Sequence, residues 1–170
     1  MIKKKGFTLI EVILVLALMS VVLGVIYQFF LSSSRSLNEA EIRSNLQFEG
    51  QHIQDSFTKY GSQGNSITTL NGTTPQAVST QVNLNNLTIS LYDGTDHVGY
   101  TYDNGTKTLT ENHGVNKILS NKISSITIKT LEDENYDVAS GITVDVTLED
   151  KGIQYSITSK ILFRNKGVTP

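Results

Sequence analysis

Cysteine and tryptophan are absent from this 170-residue chain, and proline occurs only at Pro75 and Pro170. Without thiols there is neither a disulfide staple nor a thiolate metal site, so the fold must hold by its apolar core. Histidine is scarce: His52, His97 and His113 show no ligand spacing. There is no phosphate-cradling glycine loop, zinc motif or nucleophile elbow. Nothing in the chain therefore asks for a catalytic role or a cofactor. Basic charge is also short. The formal net charge is −2, and setting aside Lys3, Lys4 and Lys5 takes it to −5. No basic patch survives, which argues against direct nucleic-acid binding.

What the chain does have is unevenly spread. Residues 12–31 hold only Ser20, Gly24 and Gln28 against 17 apolar residues, while the remainder is rich in Ser, Thr and Asn. The length leaves room for one further domain of ordinary size. The pattern is that of a soluble domain on a membrane anchor. Lys3, Lys4 and Lys5 precede the apolar run, which keeps the amino end in the cytoplasm. Twenty helical residues reach about 30 Å, the thickness of the hydrocarbon core. A conventional secretory signal is the alternative, with Ser32 and Ser34 as a small-x-small cleavage site, but its apolar core is usually about 7–15 residues.

Glu11 is foreign to either plain reading. A carboxylate at a bilayer's centre costs about 2.5–3.5 kcal/mol and less near its edge, and an intramembrane acid is by default functional. The stretch "KGFTLIEVILVLALMS" resembles the amino terminus of type IV pilins and pseudopilins. In that family a short basic leader ends in Gly, a membrane peptidase cuts before the following Phe and methylates its new amine, and the fifth mature residue is Glu. The matching positions are Gly6, Phe7 and Glu11. The resemblance implies that Glu11 pairs with the Phe7 amine of a neighbouring subunit, an amine that only cleavage creates. Paired charges are tolerable where a lone one is not.

Along the same segment, Ala17, Ser20, Gly24 and Gln28 recur at spacings of three, four and four. Such a small or polar stripe lets helices approach closely in lipid, although small residues are common in any membrane helix. Beyond it, Ile42, Leu46, Ile53, Phe57 and Tyr60 mark one face of an amphipathic helix. Gly50 fills the missing position and permits close contact with a sheet. Gly61 is the predicted stop, with Lys59 in the last turn.

Residues 62–75 are turn-rich and predict a connecting loop. The period then changes to two. Leu87, Ile89 and Leu91 alternate with polar residues, and "VGYTYD" meets "TKTLTE" across Asn104-Gly105, a two-residue hairpin signal. "KISSITIKTL" is a further strand. Ile142, Val144, Val146 and Leu148 share one face, and Ile153, Tyr155, Ile157, Ile161 and Phe163 resume the pattern after "EDKG". The expectation is an α+β fold: a long amino-terminal helix, its carboxyl half packed on one face of an antiparallel sheet. Two acidic stretches invite a calcium reading, Asp93, Asp96 and His97 in one and Glu132, Asp133, Glu134 and Asp137 in the other. Neither has an EF-hand pattern, so a solvated loop is the simpler account. Asn71, Asn86 and Asn104 fit the N-glycosylation pattern, as chance allows in a chain so rich in Asn and Thr.

The tyrosine-bearing "VGYTYDNGTKTLTEN", followed by "YSITSKILFRNKG", is similar to the carboxyl end of minor pilins and J-type minor pseudopilins, the matching pair being Arg164-Asn165. The layout expected is a leader over 1–6, a transmembrane assembly helix over 7–31, its amphipathic continuation over 32–61, and a pilin-like β-rich head over 62–170. The resemblance implies a structural subunit of a pilus, a type II secretion pseudopilus or a DNA-uptake filament. It would sit in the cytoplasmic membrane with its head outside, then move into a filament. Its partners would be the prepilin peptidase, other pilin subunits and the assembly platform. The rival is a membrane-anchored or secreted ligand-binding adhesin.

Overall fold

Ile42, Leu46, Gly50, Ile53 and Phe57 are all buried, so the amphipathic stripe read from the sequence is a packed face. The computed structural model describes residues 6, 8–92 and 94–167. It divides into two compact units, Met1–Glu41 and Ile42–Pro170. Helix α1 spans Leu9–Gly61, with Glu11 in its first turn and Lys59 in its last, each complementing the helix dipole. Residues up to 41 lie in the first unit. Those from Ile42 onward dock on the strands of the second.

Those strands are β1 (Gly64–Leu70), β2 (Val82–Asn83), β3 (Asn86–Leu91), β4 (Asp96–Asp103), β5 (Thr108–His113), β6 (Val115–Ser120), β7 (Ile123–Thr130), β8 (Gly141–Asp150) and β9 (Ile153–Leu162). They form two antiparallel sheets, β1-β3-β4-β5-β6 and β2-β7-β8-β9. The α+β architecture is as expected, but the strands divide where a single sheet was drawn. One of the crossings between the sheets lies at Ser120–Lys122, where Ser120 Oγ accepts from the Lys122 amide at 3.0 Å. β7 then pairs with β8 rather than β6.

Helix α1 reaches both sheets. Phe57 stacks on Tyr100 of β4 with ring centroids 4.1 Å apart. On the β9 side, a methyl group at Gly50 would come within 3.0 Å of Tyr155 and 3.1 Å of Ile157, so the glycine permits the close approach foreseen for it. At Gly61 a methyl would lie 2.1 Å from Ile161 Cγ2. Gly61 is thus kept small by packing.

Two polar clusters, the first buried and the second half-buried, fix the helix on the sheets. Ser56 Oγ donates to the Glu111 carboxylate, and Tyr100 Oη lies 3.0 Å from Ser56 Oγ and 3.2 Å from its carbonyl. Burial pushes the Tyr100 phenol well above its ordinary range, which keeps it protonated and donating. Glu49 accepts from Ser120 Oγ at 2.6 Å and pairs with Lys122 at 2.9 Å, and Lys122 also reaches Asp150 at 3.2 Å. The hydrogen bond to Glu49 leads in raising the Lys122 pKa.

Two local expectations need correcting. Residues 62–75 are not all loop, because Gly64–Leu70 forms β1, paired with β3 and burying Ile67 and Leu70. Its Ser and Thr are tolerated because β1 is an edge strand whose ladder is broken by two register shifts. The β4–β5 turn is not a two-residue Asn-Gly hairpin either. Its register closes at Asp103↔Thr108, leaving a four-residue loop. Asp103 holds that loop by accepting from the Gly105 amide at 2.8 Å and Thr106 Oγ1 at 2.9 Å. A side-chain turn of this kind outcompetes the bare Asn-Gly signal. The tight hairpin lies instead at Lys151-Gly152, where both residues have positive φ, 48° and 81°, as a type I′ turn requires.

Candidate functional site

The amino-terminal segment of α1 has no internal explanation. From Leu9 to Leu31 every large apolar side chain is exposed, from 82% at Leu9 to 39% at Leu31. At about 1.5–3 kcal/mol per large apolar side chain left in water, the cost is on the order of tens of kcal/mol. The helix is long and apolar enough to cross a bilayer, and none of its most apolar stretch is buried within the protein. Lipid or other protein must cover it.

Glu11 sits at the start of this surface. Its amide donates to the Thr8 carbonyl at 3.1 Å, and Val12 shares the same acceptor at 3.3 Å, so Thr8 closes the helix end. The Glu11 side chain is exposed, with no ion pair among the described residues. Gly6 precedes the helix and is exposed, with nothing within 4 Å of a methyl built there. Phe7 and the leader lysines Lys3, Lys4 and Lys5 lie outside the described residues, as does Asp93.

Ala17, Ser20, Gly24 and Gln28 are all exposed. At about 100° per residue they fall within a quarter-turn arc, so the helix does bring them to one face. Gly24 has open space around it. Ser20 Oγ donates to its own helix at the Leu16 carbonyl, 2.8 Å away. Its hydroxyl is therefore satisfied locally, and what it offers a neighbour is small size. By the same rotation Glu11 stands about 120° from Ala17, so the acid and the stripe occupy different faces.

Asp96, Asp133 and Glu134 of the acidic stretches are engaged by protein donors. Asp96 accepts from His113 Nε2 and from the His97 amide, both at 2.8 Å, and the His113 bond leads in lowering its carboxyl pKa. Glu134 accepts from the Ser140 amide and hydroxyl at 2.5 and 2.6 Å, and Asp133 pairs with Lys129 at 2.7 Å. Among the described residues no three side chains of metal-binding type gather. Asn165 ties the chain's end to the region after the helix. Its amide donates to the Gly64 carbonyl at 3.1 Å and its side chain to the Gln63 carbonyl at 2.8 Å.

Residues missed by sequence reasoning include Glu111 and Ser56. Glu111 carried a signal: in β5 it shares parity with buried Leu109, so period two puts an acid on the core face. Lys122 gave no comparable sign.

Together these features define a chain whose β-rich unit carries its own core and whose amino-terminal helix is built to be covered by something else. Residues 1–27 match the family model of the prokaryotic N-terminal methylation motif. That motif implies processing by a prepilin peptidase and assembly with other pilin subunits, and it points to a structural protein rather than an enzyme. No curated protein and no solved structure matches the chain.

Proposed function

We propose that the chain is a subunit, minor pilin or pseudopilin in kind, of a type IV pilus-like filament. The observation that carries this reading is the methylation motif lying on the amino-terminal stretch of α1, where every large apolar side chain from Leu9 to Leu31 is exposed. The precursor is held in the cytoplasmic membrane with Lys3, Lys4 and Lys5 inside and the β-rich unit outside. Cleavage after Gly6 frees the Phe7 amine, which is methylated. That amine then pairs with Glu11 of a neighbouring subunit, at the one place where the apolar surface carries a charge. Ala17, Ser20, Gly24 and Gln28 form a second contact face, about 120° from Glu11, where helices approach closely.

Mass spectrometry of the amino-terminal peptide from membrane fractions tests the reading. The expected species begins at N-methylated Phe7. An intact Met1, or a start near Arg35, overturns it.

A further inference from the structure

A polar cleft of about 200 Å³ opens where the chain passes from one sheet to the other. β2 ends at Asn83 on the β7 side, Leu84 donates its amide to the Ile126 carbonyl at 3.0 Å, and Asn85 accepts from the Tyr102 amide at 2.8 Å on the β4 side. A gap remains at this crossing, with the buried side chains of Leu84 and Ile126 beneath it.

Its walls are Asn83, Asn85, Tyr102, Asn104, Ser124 and Ser125, and no charged residue lines it. Several of their hydrogen-bonding groups are uncommitted. The side chains of Asn83, Asn85 and Ser125 make no hydrogen bond among the described residues, although the backbones of Asn83 and Asn85 do. Asn104 uses its Oδ1 to accept from Tyr102 Oη at 3.2 Å, leaving its amide hydrogens free. Tyr102 is held on its other side by the Ile123 carbonyl, also at 3.2 Å. Each free Asn side chain offers a donor pair and an acceptor from one small group.

We propose that this cleft is a binding site for a neutral sugar. Uncommitted amides and a hydroxyl match adjacent sugar hydroxyls, each of which donates and accepts. The half-buried Tyr102 supplies apolar surface for a ring's C–H face. An ion finds no counter-charge here, and the volume suits one ring rather than a folded partner. The site is built by the β-rich unit alone and does not depend on the filament reading.

The test is saturation-transfer NMR on the full chain in dodecylphosphocholine micelles, whose headgroup is not a sugar. The probes are glucose, galactose, mannose, N-acetylglucosamine and N-acetylgalactosamine, with glucuronate and glucosamine as charged controls. At least one neutral sugar is expected to receive saturation, with a Kd on the order of millimolar for so small a ligand. The variant N83A/N85A should weaken it about tenfold or more, because two hydrogen-bonding side chains are removed while the backbone bonds remain. If that variant misfolds, Ser125→Ala, an exposed hydroxyl deletion, should still weaken binding, while the distant His52→Ala should not. No transfer to any neutral probe, equal transfer to the charged controls, or undiminished transfer in the folded variants overturns the proposal.

Discussion

Replacing Gly61 by Ala tests whether the end of α1 is fixed by packing or by chain termination. The added methyl would sit 2.1 Å from Ile161 Cγ2, inside any real contact distance, and a tight 3.3 Å from Ile161 Cβ and Cδ1. Ile161 is itself buried in β9 and cannot swing into solvent. Overpacking of this kind costs about 1–3 kcal/mol. Intrinsic propensity works the other way, since Ala is better than Gly inside a helix by about 0.8–1.0 kcal/mol. At 2.1 Å the clash belongs in the upper half of that range, about 2–3 kcal/mol, and should win, leaving a net loss of roughly 1–2 kcal/mol. Gly24→Ala, with nothing within 4 Å, provides the control without a clash. Gly50→Ala meets Tyr155 at 3.0 Å and falls between the two. Urea unfolding of the full chain in micelles, followed by far-UV circular dichroism and tyrosine fluorescence, gives the three values. The partner change Ile161→Ala costs about 2–5 kcal/mol alone. Combined with Gly61→Ala it should cost less than the sum, by about 1 kcal/mol or more. A Gly61→Ala protein as stable as the wild type, or strict additivity in the double variant, would refute the reasoning.

Other expectations follow from the same structure. Glu111→Ala leaves the Ser56 hydroxyl without its acceptor in a buried site and should destabilise the helix-docked unit by about 1–3 kcal/mol in the same urea assay. Glu134 accepts two hydrogen bonds from Ser140, which hold its carboxyl below the usual 4.5. A lowered folded pKa contributes stability that is present above the unfolded value and lost as pH falls through the folded one. Glu134→Gln should therefore reduce stability at neutral pH and flatten the decline below pH 4.5; an unchanged pH profile would contradict this. Gly24→Leu, placed on the open small-residue face, should leave membrane insertion and cleavage intact and lower incorporation into sheared filaments, as measured by immunoblot.

Much of this was legible in periodicity. Ile42, Leu46, Gly50, Ile53 and Phe57 marked the docking face because a spacing near 3.6 has one structural meaning. Ile142 to Leu148 marked β8 because alternation in a half-covered strand does too. The first-unit helix was legible for a different reason, since an unbroken apolar run carries its environment in its composition. Other features depended on partners far along the chain. β1 hid behind Ser, Thr and Gly because an edge strand needs few apolar residues once β3 supplies its ladder. The division into two sheets depends on pairings between distant segments, β1 with β3 and β2 with β7, which no local pattern marks. The Glu49–Lys122–Asp150 cluster joins residues about a hundred positions apart and leaves no local mark. At the site, Glu11 stands out as a charge in an apolar run, and its separation from the Ala17–Gln28 stripe follows from the rotation of about 100° per residue rather than from linear spacing.

In the proposed filament, assembly rests on Glu11 meeting an amine that cleavage creates. Its most direct test is the incorporation of Glu11→Gln into filaments, measured against its level in the membrane. Gln keeps the size and polarity of Glu and removes only the charge. Normal insertion, normal cleavage after Gly6 and a loss of incorporation of about tenfold or more, the equivalent of about 1.4 kcal/mol, are expected. Incorporation equal to wild type, with cleavage intact, would contradict it.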